Sequence, residues 1–116
     1  MSSDPRAPLE RRATDRWKLL IARDAARAYT YLTPGYRAGQ AEGEYSKWLA
    51  SRQIEWRSAA YVDHTCDSPD VCKVALSLAV ETTVPGIPGK HNVTGGVVES
   101  WLKFDGVWYH LPANKR

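Results

Sequence analysis

Apolar residues in the first third of the chain recur at steps of three and four, which is the spacing of one face of an α-helix. The stripe begins after Pro8, because proline fits the first helical turn, where its missing N–H would have no partner. It ends at Thr33-Pro34-Gly35, since the residue before a proline resists helical backbone angles. The pattern predicts a single helix of about 24 residues. Its apolar stripe comprises Leu9, Ala13, Trp17, Leu20, Ile21, Ala25, Ala28 and Leu32.

A second stripe with helical spacing follows a predicted loop at residues 35–40. Tyr45, Trp48, Leu49 and Arg52 lie at positions i, i+3, i+4 and i+7, so they share one helix face. The predicted helix runs from about residue 42 to about residue 53.

After Gln53 the apolar and polar residues alternate with a period of two, which indicates β-strands. Strands are predicted at 54–66, 71–84, 94–104 and 107–111. Asp105-Gly106 is a favourable two-residue hairpin turn, and Pro69 lies in the turn between the first two strands. Residues 85–92 include two prolines and two glycines within five residues, so they are predicted to form a long, mobile loop without regular structure.

Two helices followed by four meandering antiparallel strands predict an α+β fold, with the helices on one face of the sheet. We expect one domain over residues 8–112, a disordered lead at 1–7 and a tail at 113–116. Both faces of the second strand carry apolar residues, with Leu76 and Leu78 on one face and Ala75 and Ala79 on the other. Because a sheet with one face in water alternates more cleanly, the second face is expected to be covered, most simply in a homodimer.

Composition excludes several classes of protein. The hydrophobic fraction of 43% and the charged fraction of 25% are typical of a folded soluble protein. The net charge of +3 comes from interspersed charges, so no nucleic-acid partner is expected. No stretch approaches the roughly 20 apolar residues of a membrane span, and the first residues show no signal peptide. Five Trp and six Tyr suit an interior with an aromatic-lined pocket.

The only two cysteines, Cys66 and Cys72, flank the predicted turn at 67–70. Residues that flank a hairpin turn lie about 5 Å apart, a distance that a disulfide can bridge. Free thiols and a metal or redox site are the alternatives, although zinc sites usually have C-x₂₋₄-C spacing and His64 adds only one donor. No metal and no cofactor are expected. A disulfide implies an oxidising compartment, the periplasm or cell envelope, with the cytoplasm as the alternative.

Three stretches resemble the nuclear transport factor 2-like superfamily, and more narrowly its small bacterial members, often associated with the envelope. They are RDAARAYTYLTPGYR at 23–37, EYSKWL at 44–49 and VVESWLKFDGVWYHLP at 97–112. The resemblance covers about residues 9–112 and implies a cone, in which a curved sheet wraps the first helix and leaves a pocket at its open end. It also implies dimerisation through the outer face of the sheet. It implies no particular activity, because this fold hosts many functions.

Candidate pocket residues are the aromatic and ionisable side chains near the expected opening of the cone. Across the last hairpin, Glu99 and Trp101 should lie beside Trp108 and His110, with residues 101 and 110 opposite each other. A Glu beside a His can act as acid and base, which makes Glu99 and His110 candidate catalytic residues; alternatively they form a hydrogen-bonded packing cluster. The other candidate pocket residues are Tyr31 and Glu81, and the expected ligand-binding residues are Tyr36, Arg37, Tyr45, Trp48, Trp101 and Trp108.

Three functional hypotheses follow. In the first, the protein is a non-enzymatic binding or accessory module that holds a small apolar ligand or a protein partner. In the second, it is a small isomerase or hydratase with Glu99 or Glu81 as base and Tyr36 or Tyr45 as hydrogen-bond donor. In the third, its own side chains fill the pocket and its role is structural. Arg37 could bind an anionic ligand or pair with an acidic side chain.

Overall fold

The computed structural model describes residues 6–51 and 55–112. Within them, four helices precede four antiparallel strands, which confirms an α+β fold. The elements are α1 (Leu9–Ile21), α2 (Ala25–Tyr29), α3 (Pro34–Gly39), α4 (Glu42–Ser51), β1 (Glu55–Ser68), β2 (Val71–Val84), β3 (Ile87–Phe104) and β4 (Val107–Leu111). The predicted tail, most of the predicted lead, and residues 52–54 with the predicted position of Arg52 lie outside the described residues.

The single long helix predicted for the first third is wrong, because the chain breaks between α1 and α2. Arg23 has a φ of 61°, in the left-handed region. Its N–H donates to the Leu20 carbonyl at 3.0 Å and the Asp24 N–H donates to the Leu19 carbonyl at 2.9 Å, which is the pattern of a Schellman helix end. The Asp24 side chain then caps α2.

The loop predicted at 35–40 is largely helical. Thr33 caps α3, because its side chain accepts from the Tyr36 N–H, and Pro34 occupies the first turn. The sequence pattern did not predict α3, because two of its six residues are glycines and glycine disfavours helix interiors.

The four strands lie in sequence order in one antiparallel sheet. β2 and β4 have their predicted bounds, and Asp105-Gly106 forms the predicted turn. The long irregular loop at 85–92 is wrong: β2 turns at Pro85-Gly86, where Gly86 has a φ of 83°, and β3 begins at Ile87. Pro88 and Gly89 lie in a register irregularity within the pair and do not end it.

One end of the sheet is tied directly to the helical half. The His110 N–H of β4 donates to the Tyr31 carbonyl at 2.7 Å, and the Thr33 N–H donates to the His110 carbonyl at 3.0 Å. This short parallel bridge fixes β4 against the segment between α2 and α3.

The core lies between the helices and the inner face of the sheet. Along β2 the inward positions are Cys72, Val74, Leu76 and Leu78, and all are buried. They pack with Trp101 of β3, with Leu32 between α2 and α3, and with side chains of α1, α2 and α4, chiefly Ala13, Trp17, Leu20, Ala28 and Leu49. No helix among residues 6–51 and 55–112 has the length and apolar character needed to cross a bilayer.

Candidate functional site

A buried carboxylate, Glu99 of β3, lies at the centre of the interior polar cluster. Its Oε2 accepts from Arg16 Nη1 at 2.9 Å and from Trp17 Nε1 at 2.8 Å, and its Oε1 accepts from Trp101 Nε1 at 3.2 Å. Arg16 and Trp17 are adjacent on α1, so one strand carboxylate joins this helix to the sheet. Only about one of the four acceptor positions of a carboxylate is left open by these contacts.

His110 of β4 lies beside this cluster, and its ring centroid is 5.6 Å from that of Trp101. Burial, with a smaller contribution from the positive charge of Arg16, lowers the pKa of His110 to about 2. The imidazole is therefore uncharged near neutral pH and has no proton to supply as a general acid. The predicted pairing of residues 101 and 110 across the last hairpin is confirmed.

Tyr45 of α4 lies near the same cluster. Burial raises the pKa of its hydroxyl, and the nearby Arg16 opposes that shift. The guanidinium lies near the hydroxyl without the geometry of a hydrogen bond, so the hydroxyl has no hydrogen-bond partner among the described residues. Trp48 stacks on the Tyr45 ring at a centroid distance of 5.4 Å.

A surface cleft of about 510 Å³ opens between α3, α4 and the end of β4. Of the predicted ligand-binding residues, Tyr36 lines this cleft. Gln40 also lines it, and the buried Gln40 Oε1 has no hydrogen-bond partner within the described part of the chain. The remaining lining residues are Gly35, Gly39, Glu44, Leu111 and Pro112.

The predicted ligand-binding residues do not meet in one pocket. Trp101 is in the core, Trp48 is exposed beside Tyr45, and Trp108 is partly buried with Lys103 Nζ 5.5 Å from its ring. Arg37 donates from Nε to the Leu32 carbonyl at 3.1 Å.

Two other predicted pocket residues also lie apart from the cleft. Tyr31 is buried in the core beneath the guanidinium of Arg12, and Glu81 lies 3.8 Å from Arg57 on the outer face of the sheet.

The sequence pattern missed two buried arginines of α1. Arg16 pairs with Glu99, and Arg12 donates from Nε to the Trp108 carbonyl at 3.1 Å with its guanidinium 4.1 Å above the Tyr31 ring. Burial lowers the pKa of Arg12. Arg12 lies three residues after Leu9 and Arg16 lies three residues after Ala13, so both arginines fall on the apolar stripe of the helix. That position was the available sequence signal that they are buried.

The predicted disulfide between Cys66 and Cys72 is confirmed, and the two residues are direct partners in the β1–β2 pair. Within the described residues, no group of three or more His, Cys, Asp or Glu side chains could hold a metal ion.

The outer face of the sheet is a second candidate site, because it exposes large apolar side chains. Val98 of β3 is 69% exposed and Val62 of β1 is 58% exposed. Between them, the outward positions of β2 are the small residues Ala75, Ser77 and Ala79. Val71, Phe104 and Leu111 are further exposed residues at outward positions.

The fold has counterparts among solved structures. A SEC-C motif containing protein from Rhodopseudomonas palustris matches with a TM-score of 0.66 and 12% identity over 94% of this chain and 79% of its own. A SEC-C motif containing protein from Psychrobacter arcticus matches with a TM-score of 0.69 and 14% identity over 96% of this chain and 62% of its own. No protein-family model matches the chain, and no curated protein sequence matches it significantly.

These comparisons correct the resemblance stated from the sequence. The matched structures are SEC-C motif containing proteins, so assignment to the nuclear transport factor 2-like superfamily is wrong. The stretches that carried the resemblance lie in α2 and α3, in α4 and in the β3–β4 hairpin. At 12–14% identity, the likeness to the solved structures concerns the fold alone.

Proposed function

We propose that the protein is a non-enzymatic binding module whose working surface is the outer face of its sheet, and that a second copy of the chain docks there. The observation that carries this proposal is the exposure of Val98, 69%, on a strand paired over most of its length. Polar side chains are expected on a sheet face that stays in water. The curvature of the sheet into a cone stays a prediction.

Small side chains at the middle of this face favour the approach of a second copy. The central strand of the face presents the small residues Ala75, Ser77 and Ala79. The cross-strand partners of Ser77 are Gly96 and Ala60, so the middle of the face allows close approach. With strands about 4.8 Å apart and a rise of about 3.4 Å per residue, the face measures on the order of 500–600 Å². That area is typical of a modest, concentration-dependent dimer.

The charges on the face are self-complementary. β2 presents Lys73 toward one end and Glu81 toward the other, and their midpoint is Ser77. On β1, Asp63 lies at the Lys73 end and Arg57 lies at the Glu81 end. A two-fold axis in the interface plane, across the strands at Ser77, would bring Lys73 over Glu81 of the second copy and Asp63 over Arg57. This complementarity is why we favour a second copy over an unrelated partner.

Sedimentation equilibrium over a range of protein concentrations tests the proposal. The wild-type chain should dimerise, and Val98→Lys should remain a monomer because a lysine at the centre of the face would be buried without a partner. Val93→Lys is the matched control, because Val93 is an exposed valine of the same strand on the opposite face. A wild-type chain that is monomeric at millimolar concentration refutes the proposal.

A second candidate function is the binding of a small ligand in the cleft beside Tyr36. The unpartnered Gln40 Oε1 and a volume within the usual range for ligand sites, roughly 300–1,000 Å³, favour it. Ligand-detected NMR with a fragment mixture tests binding in the cleft. The binding signals of the fragments should be weaker with Tyr36→Ala than with the wild-type protein. The isomerase or hydratase hypothesis is the weaker one, since Glu99 already accepts three hydrogen bonds and His110 is uncharged.

We further propose that the protein works in an oxidising compartment, the periplasm or cell envelope. The Cys66–Cys72 disulfide supports this location. Alkylation of thiols in intact cells of the source organism, followed by mass spectrometry, should find both cysteines unmodified. Modification of both would place the protein in a reducing compartment.

A further inference from the structure

Three buried polar atoms around Arg16 have no hydrogen-bond partner among the residues that the structure describes. They are Arg16 Nε, the Tyr45 hydroxyl oxygen and His110 Nδ1. All three side chains are more than nine-tenths buried, and they come from α1, α4 and β4. Because more than about 90% of buried polar groups are paired in native proteins, three unpaired atoms in one cluster require an explanation.

Contacts and electrostatics tie the three groups to the same place in the interior. The positive charge of Arg16 influences the pKa of both His110 and Tyr45, and the charge of Glu99 also influences the pKa of Tyr45. Arg16 and Glu99 are joined at 2.9 Å, and His110 lies against Trp101, which donates to the same Glu99. The unpaired atoms therefore belong to one cluster at the inner face of the sheet.

The hydrogen-bond chemistry of the cluster defines its ligand. Arg16 Nε–H is a donor, and an uncharged His110 ring presents Nδ1 as an acceptor when its proton is on Nε2. The Tyr45 hydroxyl can do either. Glu99 neutralises Arg16, so the cluster has no net charge and no preference for an ion.

We propose that one hydroxyl group occupies this internal position, accepting from Arg16 Nε and Tyr45 and donating to His110 Nδ1. The hydroxyl belongs to a bound water molecule or to a small neutral alcohol-type ligand. This inference does not depend on the proposed interface at the outer face of the sheet.

The sign of the stability change in Tyr45→Phe tests the proposal by thermal unfolding. If the hydroxyl of Tyr45 bonds to an occupant, its removal should lower Tm by about 5 °C. If the position is empty, removing an unpaired buried hydroxyl is neutral or stabilising, so an unchanged or higher Tm overturns the proposal.

Two matched variants calibrate the measurement. Tyr29→Phe removes a hydroxyl that donates to the Gln40 carbonyl at 2.7 Å, with the Arg37 carbonyl also near at 3.0 Å, and its Tm should fall. Tyr36→Phe removes a cleft hydroxyl for which the structure shows no hydrogen bond, and its Tm should not change.

A crystal structure of protein purified without alcohols identifies the occupant and decides the matter if Tyr45→Phe does not fold. One round density peak within about 3.2 Å of all three atoms indicates water. Larger density indicates the hydroxyl of a bound ligand, whose mass native mass spectrometry would give. Absence of density between the three atoms overturns the proposal.

Discussion

At the scale of single residues, the charge of Glu99 supports the fold, because it neutralises the buried Arg16. Glu99→Gln should lower the free energy of unfolding by about 3 kcal/mol, since it leaves a buried guanidinium without a counter-charge. Urea denaturation measures the change. Arg11→Gln is the control: its ion pair with Asp15 at 3.5 Å is partly exposed and should contribute less than about 0.5 kcal/mol. Equal losses in the two variants would contradict this role of Glu99.

His110 should make stability depend on pH. Its pKa of about 2 in the folded protein lies below the ordinary value of 6.5, so between these values the unfolded chain binds a proton that the folded chain does not. The contribution of His110 to the free energy of unfolding is therefore fully present above pH 6.5 and is lost as the pH falls below that value. Between pH 7.5 and 5 the wild-type protein should therefore lose about 1–2 kcal/mol more than His110→Phe does. Identical pH profiles for the two proteins, measured by urea denaturation, would exclude a neutral buried histidine.

The residues of this cluster were only partly predictable. Glu99, Trp101 and His110 could be brought together from the register of one tight hairpin, which is local information. Arg16 is 83 residues from Glu99 in sequence, and nothing local indicates such a partner. Its place within an apolar stripe was the sole sequence signal, and interspersed arginines and acids are also what a solvated helix face shows.

At the scale of elements, the β1–β2 hairpin is held by its disulfide. Reduction should lower the free energy of unfolding by about 2 kcal/mol, because it frees a short loop in the unfolded chain. Thermal unfolding with and without a reductant measures the loss. The double variant Cys66→Ser/Cys72→Ala should not respond to the reductant; a response in that variant would show that the reductant acts elsewhere.

Two glycines should respond to alanine in opposite directions. Gly86 turns the β2–β3 hairpin with a φ of 83°, so Gly86→Ala should cost about 1 kcal/mol. Gly43 lies in α4, and no atom lies within 4 Å of the place that an alanine Cβ would take, so Gly43→Ala should stabilise by about 0.5–1 kcal/mol. Urea denaturation of both variants checks the signs. Stabilisation by Gly86→Ala would show that the turn differs from the one described.

Elements were predictable where their signals were local and agreed with one another. The strands β2 and β4 and the Asp105-Gly106 turn follow from alternation and turn chemistry. The break between α1 and α2 was not predictable, because an arginine, Arg23, occupies the left-handed position where glycine is usual. Near Pro88 the sequence indicates a loop, but pairing of the flanking residues across the hairpin keeps the segment in the sheet.

At the scale of the whole molecule, the sequence predicted the fold class but not the relatives. The order of helical and alternating segments determines an α+β arrangement. Short aromatic motifs did not identify the structural relatives, which share only 12–14% identity with this chain. The sequence places apolar residues on both faces of β2, but the exposed Val98 and Val62, on which the proposed function also rests, lie on the neighbouring strands β3 and β1.

The most direct test of that proposal is a mixing experiment with Lys73→Glu and Glu81→Lys. In the proposed two-fold arrangement each variant alone places like charges opposite each other, so both should be monomers at a concentration where the wild-type chain is a dimer. Mixed in equal amounts, they should form a heterodimer, because each glutamate then faces a lysine of the other chain. Sedimentation equilibrium should show the mixture as a dimer. Monomers in the mixture, or dimers of either variant alone, would contradict the account.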